Sequence, residues 1–257
     1  MQARLLGIFL LFHSAIFALY MGNPAEPEII DAGLFIPQDA SFSVKVGYQG
    51  DRVFDRLLHV YAGSHARVDR CEMQMDQGVI TLNYLDRFEL YGTVGSMRSC
   101  FWFRPHVDKK RREFETNNRA TGGLGARLLL AQWGNTGIGL DGKVQYGKPG
   151  IRWVAVNGVS HTSSAHLTYR ELQGSFAVYH TIDLFTPYLG VKYSNVHSDV
   201  QGLSRSVYPH RHFKMSNRCR FGMAVGCSLS QGKKIDLNLE VQLIDEQAVT
   251  FGGNVKF

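Results

Sequence analysis

Ile235-Asp236-Leu237-Asn238-Leu239-Glu240-Val241-Gln242-Leu243 alternates without interruption, with apolar residues on one parity and polar or acidic residues on the other. Successive side chains of a strand point to opposite faces, so this stretch is a strand with one oily and one wet face. The pattern resumes after Asp245-Glu246: Val249, Phe251, Gly253, Val255 and Phe257 share one parity, against Thr250, Gly252, Asn254 and Lys256. A soluble chain usually frays at its end. An apolar strand finishing on Phe257 suits a lipid-facing barrel strand with an aromatic ring at the membrane interface.

Composition and targeting agree with that reading. The chain has 257 residues, 27 of them glycine and 12% aromatic, on an ordinary 44% hydrophobic background. Residues 1–18 read as a signal peptide, with Arg4 as the positive region, Leu5 to Phe17 mostly apolar, and Ile16-Phe17-Ala18 as a usable cleavage site. That apolar stretch is shorter than the ~20 residues a spanning helix needs, and no later run reaches that length. An exported chain embedded in a membrane must then be embedded as strands. Without Arg4 the formal charge falls by one from +6, a mild excess. The basic cluster Lys109-Lys110-Arg111-Arg112 reads as a solvated loop, and no nucleic-acid partner is expected.

Residues 19–38 carry three of the seven prolines and read as an extended lead-in. Strand patterns then follow one another through residues 39–257. Phe42, Val44, Val46 and Tyr48 alternate with Ser43, Lys45, Gly47 and Gln49, and Gly50-Asp51 reads as a turn. Leu82 to Gly95 contains two strands about Asp86-Arg87, and Phe101-Trp102-Phe103 ends the second. Further strands cover 124–130, 138–146, 172–178 and 189–193. No apolar stripe of period 3.6 reaches helical length. The expectation is an all-β antiparallel transmembrane barrel of about twelve strands, with ten to sixteen allowed, because each crossing needs about 9–11 residues. A secreted sandwich or lipocalin-like barrel also alternates, but leaves the aromatic residues expected to face outward without an environment.

Enzymatic readings find little support. Gly137-Ile138-Gly139-Leu140-Asp141-Gly142 spells G-x-G-x-x-G, yet a turn precedes it and a strand runs through it, where dinucleotide binding needs a strand before and a helix after. His210-Arg211-His212 lacks a third metal ligand, and no G-x-S-x-G elbow occurs. No cofactor is expected.

The chain resembles the chlamydial major outer membrane protein, or porin, family. The residues that carry this are Gly22-Asn23-Pro24-Ala25-Glu26-Pro27, the stretch from Val46 to Arg56, Asp183-Leu184-Phe185-Thr186-Pro187-Tyr188-Leu189-Gly190-Val191-Lys192-Tyr193, Leu82 to Gly95, Gly125 to Tyr146, and Gly222 to Phe257. The resemblance implies an outer-membrane channel that also contributes to a disulfide-linked envelope. This chain looks like a short paralogue: the long variable loops are mostly missing, cysteines are fewer, and the cysteine- and tryptophan-rich segment that follows Asn-Pro-Ala-Glu-Pro in the family is lacking between Ile29 and Asp39.

The functional expectation is a porin in the cell outer membrane, passing small hydrophilic solutes and ions by diffusion. The alternative is a structural or adhesive envelope barrel with a blocked lumen. Candidate lumen-lining charges are the cations Lys45, Arg127, Lys143, Lys192, Arg218, Arg220 and Lys256 and the acids Glu89, Asp141, Glu171, Asp236 and Glu240, an excess that predicts a slight anion preference. Phe42, Val44, Val46, Leu189, Val191, Leu237, Leu239, Val241 and Phe251 are expected to face lipid. Cys71, Cys100, Cys219 and Cys227 are disulfide candidates, within or between molecules. Phe257 is the candidate signal for the outer-membrane assembly machinery. A homo-oligomer or disulfide-linked envelope partners stay open.

Overall fold

The computed structural model describes residues 20–29, 41–61, 66–105, 110–231 and 234–257. The expected signal peptide therefore lies outside the described residues. Among them no helix is long and apolar enough to cross a membrane, which says nothing of strands. The described chain is a short helix α1 (Glu26–Ile29) followed by fifteen strands: β1 (Phe42–Arg56), β2 (Leu58–Val60), β3 (Arg67–Tyr84), β4 (Phe88–Arg104), β5 (Arg112–Thr116), β6 (Arg119–Trp133), β7 (Thr136–Gly147), β8 (Ile151–Val156), β9 (Val159–Thr162), β10 (His166–His180), β11 (Phe185–Gln201), β12 (His212–Asn217), β13 (Phe221–Gln231), β14 (Ile235–Leu243) and β15 (Glu246–Lys256).

Ten of these close on themselves in the order β1, β3, β4, β6, β7, β10, β11, β13, β14, β15 and back to β1, every neighbour antiparallel. The seam between β1 and β15 runs from Lys45 opposite Lys256 to Arg56 opposite Glu246. Closure leaves no wall strand with an unpaired edge, which a barrel in lipid requires. Ten is the low end of the expected range. The chain spends its length on strands of up to 18 residues, well beyond the membrane thickness, so fewer of them are needed. Gly50-Asp51, read as a turn, lies inside β1: Gly50 faces Phe251 and Asp76, and the ladder on both sides overrides the local turn preference.

One rim is made of short turns at Leu85–Arg87, Gly134–Asn135 and Thr181–Leu184. The other carries most of the longer connections, with β2, β5, β8, β9 and β12. Outer-membrane barrels place their short turns in the periplasm. Above the level of the short β14–β15 hairpin, the extra strands continue the wall. There β12 joins β11 to β2, β2 touches β3, β4 pairs with β5, and β5 pairs with β8. Backbone bonds Ile151 N–H to Ala165 O and Leu167 N–H to Pro149 O bring β8 back to β10.

The wall alternates as the β14 sequence predicts. Leu237, Leu239, Val241, Leu189, Val191, Val46, Phe42 and Phe251 are exposed on the outside, and Val44 is half-buried. Asp236, Asn238, Glu240 and Gln242 are buried on the inside. Phe42, Tyr84, Phe88, Trp133 and Phe185 form an exposed girdle at the short-turn rim. On β11 the next outward aromatic above Phe185 is Tyr193, about 27 Å higher along the strand at ~3.4 Å per residue, close to the apolar band of such barrels once tilt is included. Not every aromatic faces out. Phe101, Phe103, Phe114 and Phe213 are buried inside the upper barrel, where Phe103 stacks on Phe213 at 4.4 Å and Phe101 on Phe114 at 4.7 Å.

Candidate functional site

A barrel's interior is its natural site, and here buried charged, amide and apolar side chains line it. Ten of the twelve candidate lumen residues, Lys45, Glu89, Arg127, Asp141, Lys143, Glu171, Lys192, Asp236, Glu240 and Lys256, are buried within the wall. Arg218 and Arg220 are not. They lie exposed in the link between β12 and β13, and Arg220 reaches the Tyr193 hydroxyl on the outer face at 3.4 Å. Parity counted back from β13 fails for them because the strand begins only at Phe221.

The lower lumen holds Tyr20 to Ile29. This segment has little local pattern and is shaped by the wall around it. The Glu240 carboxylate accepts the backbone N–H of Met21 at 2.7 Å and of Gly22 at 3.1 Å, and takes the Tyr188 hydroxyl at 2.7 Å. Asp51 accepts the Tyr20 N–H at 3.0 Å. Asn83 donates to the Pro27 carbonyl at 2.6 Å, and Asn23 donates to Ser228 at 2.6 Å and to the Thr186 carbonyl at 3.2 Å. Lys45 and Lys143 donate to the carbonyls of Glu26 and Tyr20. Glu26 pairs with Arg127, which also reaches Glu89 at 3.0 Å and Asp141 at 3.4 Å. The Tyr20 hydroxyl donates to Glu26. Wall glycines make room: a Cβ at Gly139 would sit 2.7 Å from Pro24 Cβ, and one at Gly190 would sit 2.5 Å from Met21 Cε.

Above the segment lies a layer of ion pairs. Arg56 donates to Glu171 through both terminal nitrogens, at 2.5 and 3.1 Å, and lies 3.5 Å from Glu246; Lys192 pairs with Glu246 and with Asp245 at 3.1 Å. Above that, Phe101, Phe103, Phe114, Phe213, Met73, Met75 and Val196 form a buried apolar layer. Three tyrosines tie the wall from within, each ring lying over a glycine on the next strand: Tyr91 over Gly125, Tyr179 over Gly137 and Tyr188 over Gly226.

The charge count also changes. Among the described residues the buried cations are seven and the buried acids nine, because Arg56 and Arg112 replace Arg218 and Arg220 while Glu26, Asp51, Asp245 and Glu246 join the acids. The slight anion preference therefore has no support in the interior charge. Arg112, read as part of a solvated cluster, is buried and donates to the Val207 carbonyl at 2.6 Å, and Arg111 lies 5.4 Å over the Trp102 ring. All four cysteines are unpaired within the chain; Cys71 faces inward and Cys100 outward. Gly137 to Gly142 runs along β7, with no helix after it.

Comparison with known proteins adds sequence kinship to this geometry. Residues 151–210 match the family model described as Chlamydia major outer membrane protein. The major outer membrane porin of Chlamydia trachomatis serovar L1 is 21% identical over 376 aligned positions, spanning 95% of this chain and 96% of that one. The serovar F porin is 22% identical over 378 positions, with the same two coverages. This chain is similar to the chlamydial major outer membrane porins. Its place is the cell outer membrane. The alignments are much longer than this chain, so these porins carry many residues that it lacks. Among solved structures, an outer membrane channel from Pseudomonas putida F1 has a TM-score of 0.44 and 11% identity, covering 89% of this chain and 100% of that one. OprG from Pseudomonas aeruginosa has a TM-score of 0.39 and 11% identity, covering 85% and 96%. The Asn-Pro-Ala-Glu-Pro stretch that resembles the porin family is the part of this chain that enters the lumen.

Proposed function

We propose that the chain is an outer-membrane porin that passes small hydrophilic solutes and ions by passive diffusion, with Tyr20 to Ile29 holding the lower lumen shut. The observation that carries this reading is the inner wall. In the lower barrel the ten strands present mainly charged and amide side chains inward and apolar ones outward, the inverse of a soluble barrel that packs an apolar interior. Diffusion needs no chemical step, and the interior groups serve as anchors and pore lining. Lipid surrounds the barrel and small solutes enter it. Any disulfide-linked envelope partner would meet Cys100 or Cys219 near the upper rim, since Cys227 lies opposite Leu239 in the lipid band.

A second reading, a structural envelope barrel with a blocked lumen, is favoured by the aromatic layer, where Phe101, Phe103 and Phe114 are 0% exposed. Planar-bilayer recording of the refolded chain, beside a variant lacking residues 20–29, decides between them. The porin reading expects discrete openings that become larger or more frequent in the shortened variant. Silence from both supports the blocked barrel.

A further inference from the structure

Conduction makes no use of one feature of the outer wall between β6 and β12. Two adjoining depressions, of about 470 and 400 Å³, open there and share Tyr146, Arg170 and His197. The ladder sets their heights. Arg170 stands opposite Tyr146 on β7 and His197 on β11. The next row toward the membrane is Leu124, Val144 and Leu172, each exposed. Lys148 and Lys214 line the depression above.

Charge distinguishes this patch from the lumen. The buried cations Lys45, Arg56, Arg127 and Lys192 all meet carboxylates, whereas Lys148, Arg170 and Lys214 form no ion pair among the described residues. Asp199 also lines the upper depression; it accepts from Gln201 at 2.6 Å, and its Oδ1 has no hydrogen-bond partner. Glu171 borders the lower depression but is held from inside by Arg56. The Arg170 guanidinium lies 5.9 Å from the centre of the Tyr146 ring, an arrangement that fixes a planar donor group at the surface.

We propose that this patch docks an acyl lipid of the outer leaflet whose phosphate is anionic and not capped by a cationic group. Lys148, Arg170 and Lys214 would hold the phosphate, and an acyl chain would lie on Leu124, Val144 and Leu172. Unpaired cations directly above an apolar row match a ligand that is anionic at one end and hydrocarbon at the other. A soluble phosphate satisfies only the upper half. The site goes beyond the porin reading, and a barrel that conducts nothing would still carry it.

The test is native mass spectrometry of the refolded full chain in detergent, titrated with phosphatidic acid, phosphatidylcholine or glycerol 3-phosphate. Phosphatidic acid is expected to bind most tightly. Changing Lys148, Arg170 and Lys214 together to Gln should weaken it about a hundredfold, at about fivefold per cation near a membrane surface. Changing Arg119, Arg152 and Arg205 to Gln removes the same charge from other exposed positions and should leave binding within a few-fold. Equal loss in both triple variants, or equal binding of the two lipids by the unaltered chain, overturns the proposal. Glycerol 3-phosphate binding as tightly as phosphatidic acid also overturns it, since the site would then hold anions alone. The lipid comparison on the unaltered chain stands even if a variant fails to fold.

Discussion

Replacing Glu26 with Ala should loosen the lumen segment more than any other single truncation within it. Glu26 pairs with Arg127, accepts from Tyr20 and takes Asn238 Nδ2 at 3.1 Å. Removing one partner of a buried ion pair costs about 3–5 kcal/mol when the other is stranded. Arg127 keeps Glu89 at 3.0 Å and Asp141 at 3.4 Å, so the low end, about 3 kcal/mol, is expected. At ~1.4 kcal/mol per factor of ten, the segment's local opening rises about a hundredfold. The readout is hydrogen exchange at the Met21 and Gly22 amides, which are protected by Glu240. Glu28→Ala is the graded comparison. Glu28 is only half-buried and accepts from Gln132 at 2.8 Å and Tyr179 at 3.1 Å, so it should change exchange less than tenfold, for about 1 kcal/mol. Unchanged protection in Glu26→Ala would refute the view that the carboxylate anchors the segment.

Leu239→Arg places a cation at the middle of β14 on the lipid face and should cost about 2–4 kcal/mol, read from unfolding in lipid vesicles; a change under 1 kcal/mol would move this position away from the midplane. Gly226→Ala puts a Cβ 2.2 Å from Tyr188 Cζ, so the ring must leave Glu240, at a cost of about 1–3 kcal/mol seen as a lower denaturation midpoint in detergent. In any conducting form without residues 20–29, the interior described here keeps seven cations against eight acids, so the reversal potential across a salt gradient should lie near zero, and strong selectivity of either sign would contradict the count. Phe257 donates its N–H to the Val44 carbonyl at 2.8 Å beside the closing seam, and deleting it should reduce the heat-modifiable barrel recovered from outer membranes.

The β14 alternation was legible because every residue of it obeys one rule, inside or outside, whatever its neighbours are. The ten buried lumen charges follow from the same parity. Strand number was less legible, since alternation marks where a strand runs but not how far it continues past the membrane. The lumen segment gave no sign, because what fixes Tyr20 to Ile29 is Asp51, Asn83, Arg127 and Glu240, scattered along the chain and unrelated by any local period. Asn238 shows the consequence. A water-filled lumen would accept Arg there cheaply, but Asn238 is 1% exposed and bound to Asp236 at 2.5 Å and to Glu26, so a larger side chain has no space.

The segment also spans the place where the ring joins. Its Tyr20 N–H is held by β1 and its Met21 N–H by β14, a bond between residues 219 apart in sequence. A ring can close only when its first and last strands meet in register, and bringing distant parts of a chain together costs entropy that grows with the logarithm of their separation. A peptide bound to both sides would act as a clasp, holding the two sides of the seam at the correct height while the ladder between β1 and β15 forms. Its role would then begin before any solute arrives, and the refolding rate of the chain without residues 20–29, slower if the clasp matters and unchanged if it does not, would measure it.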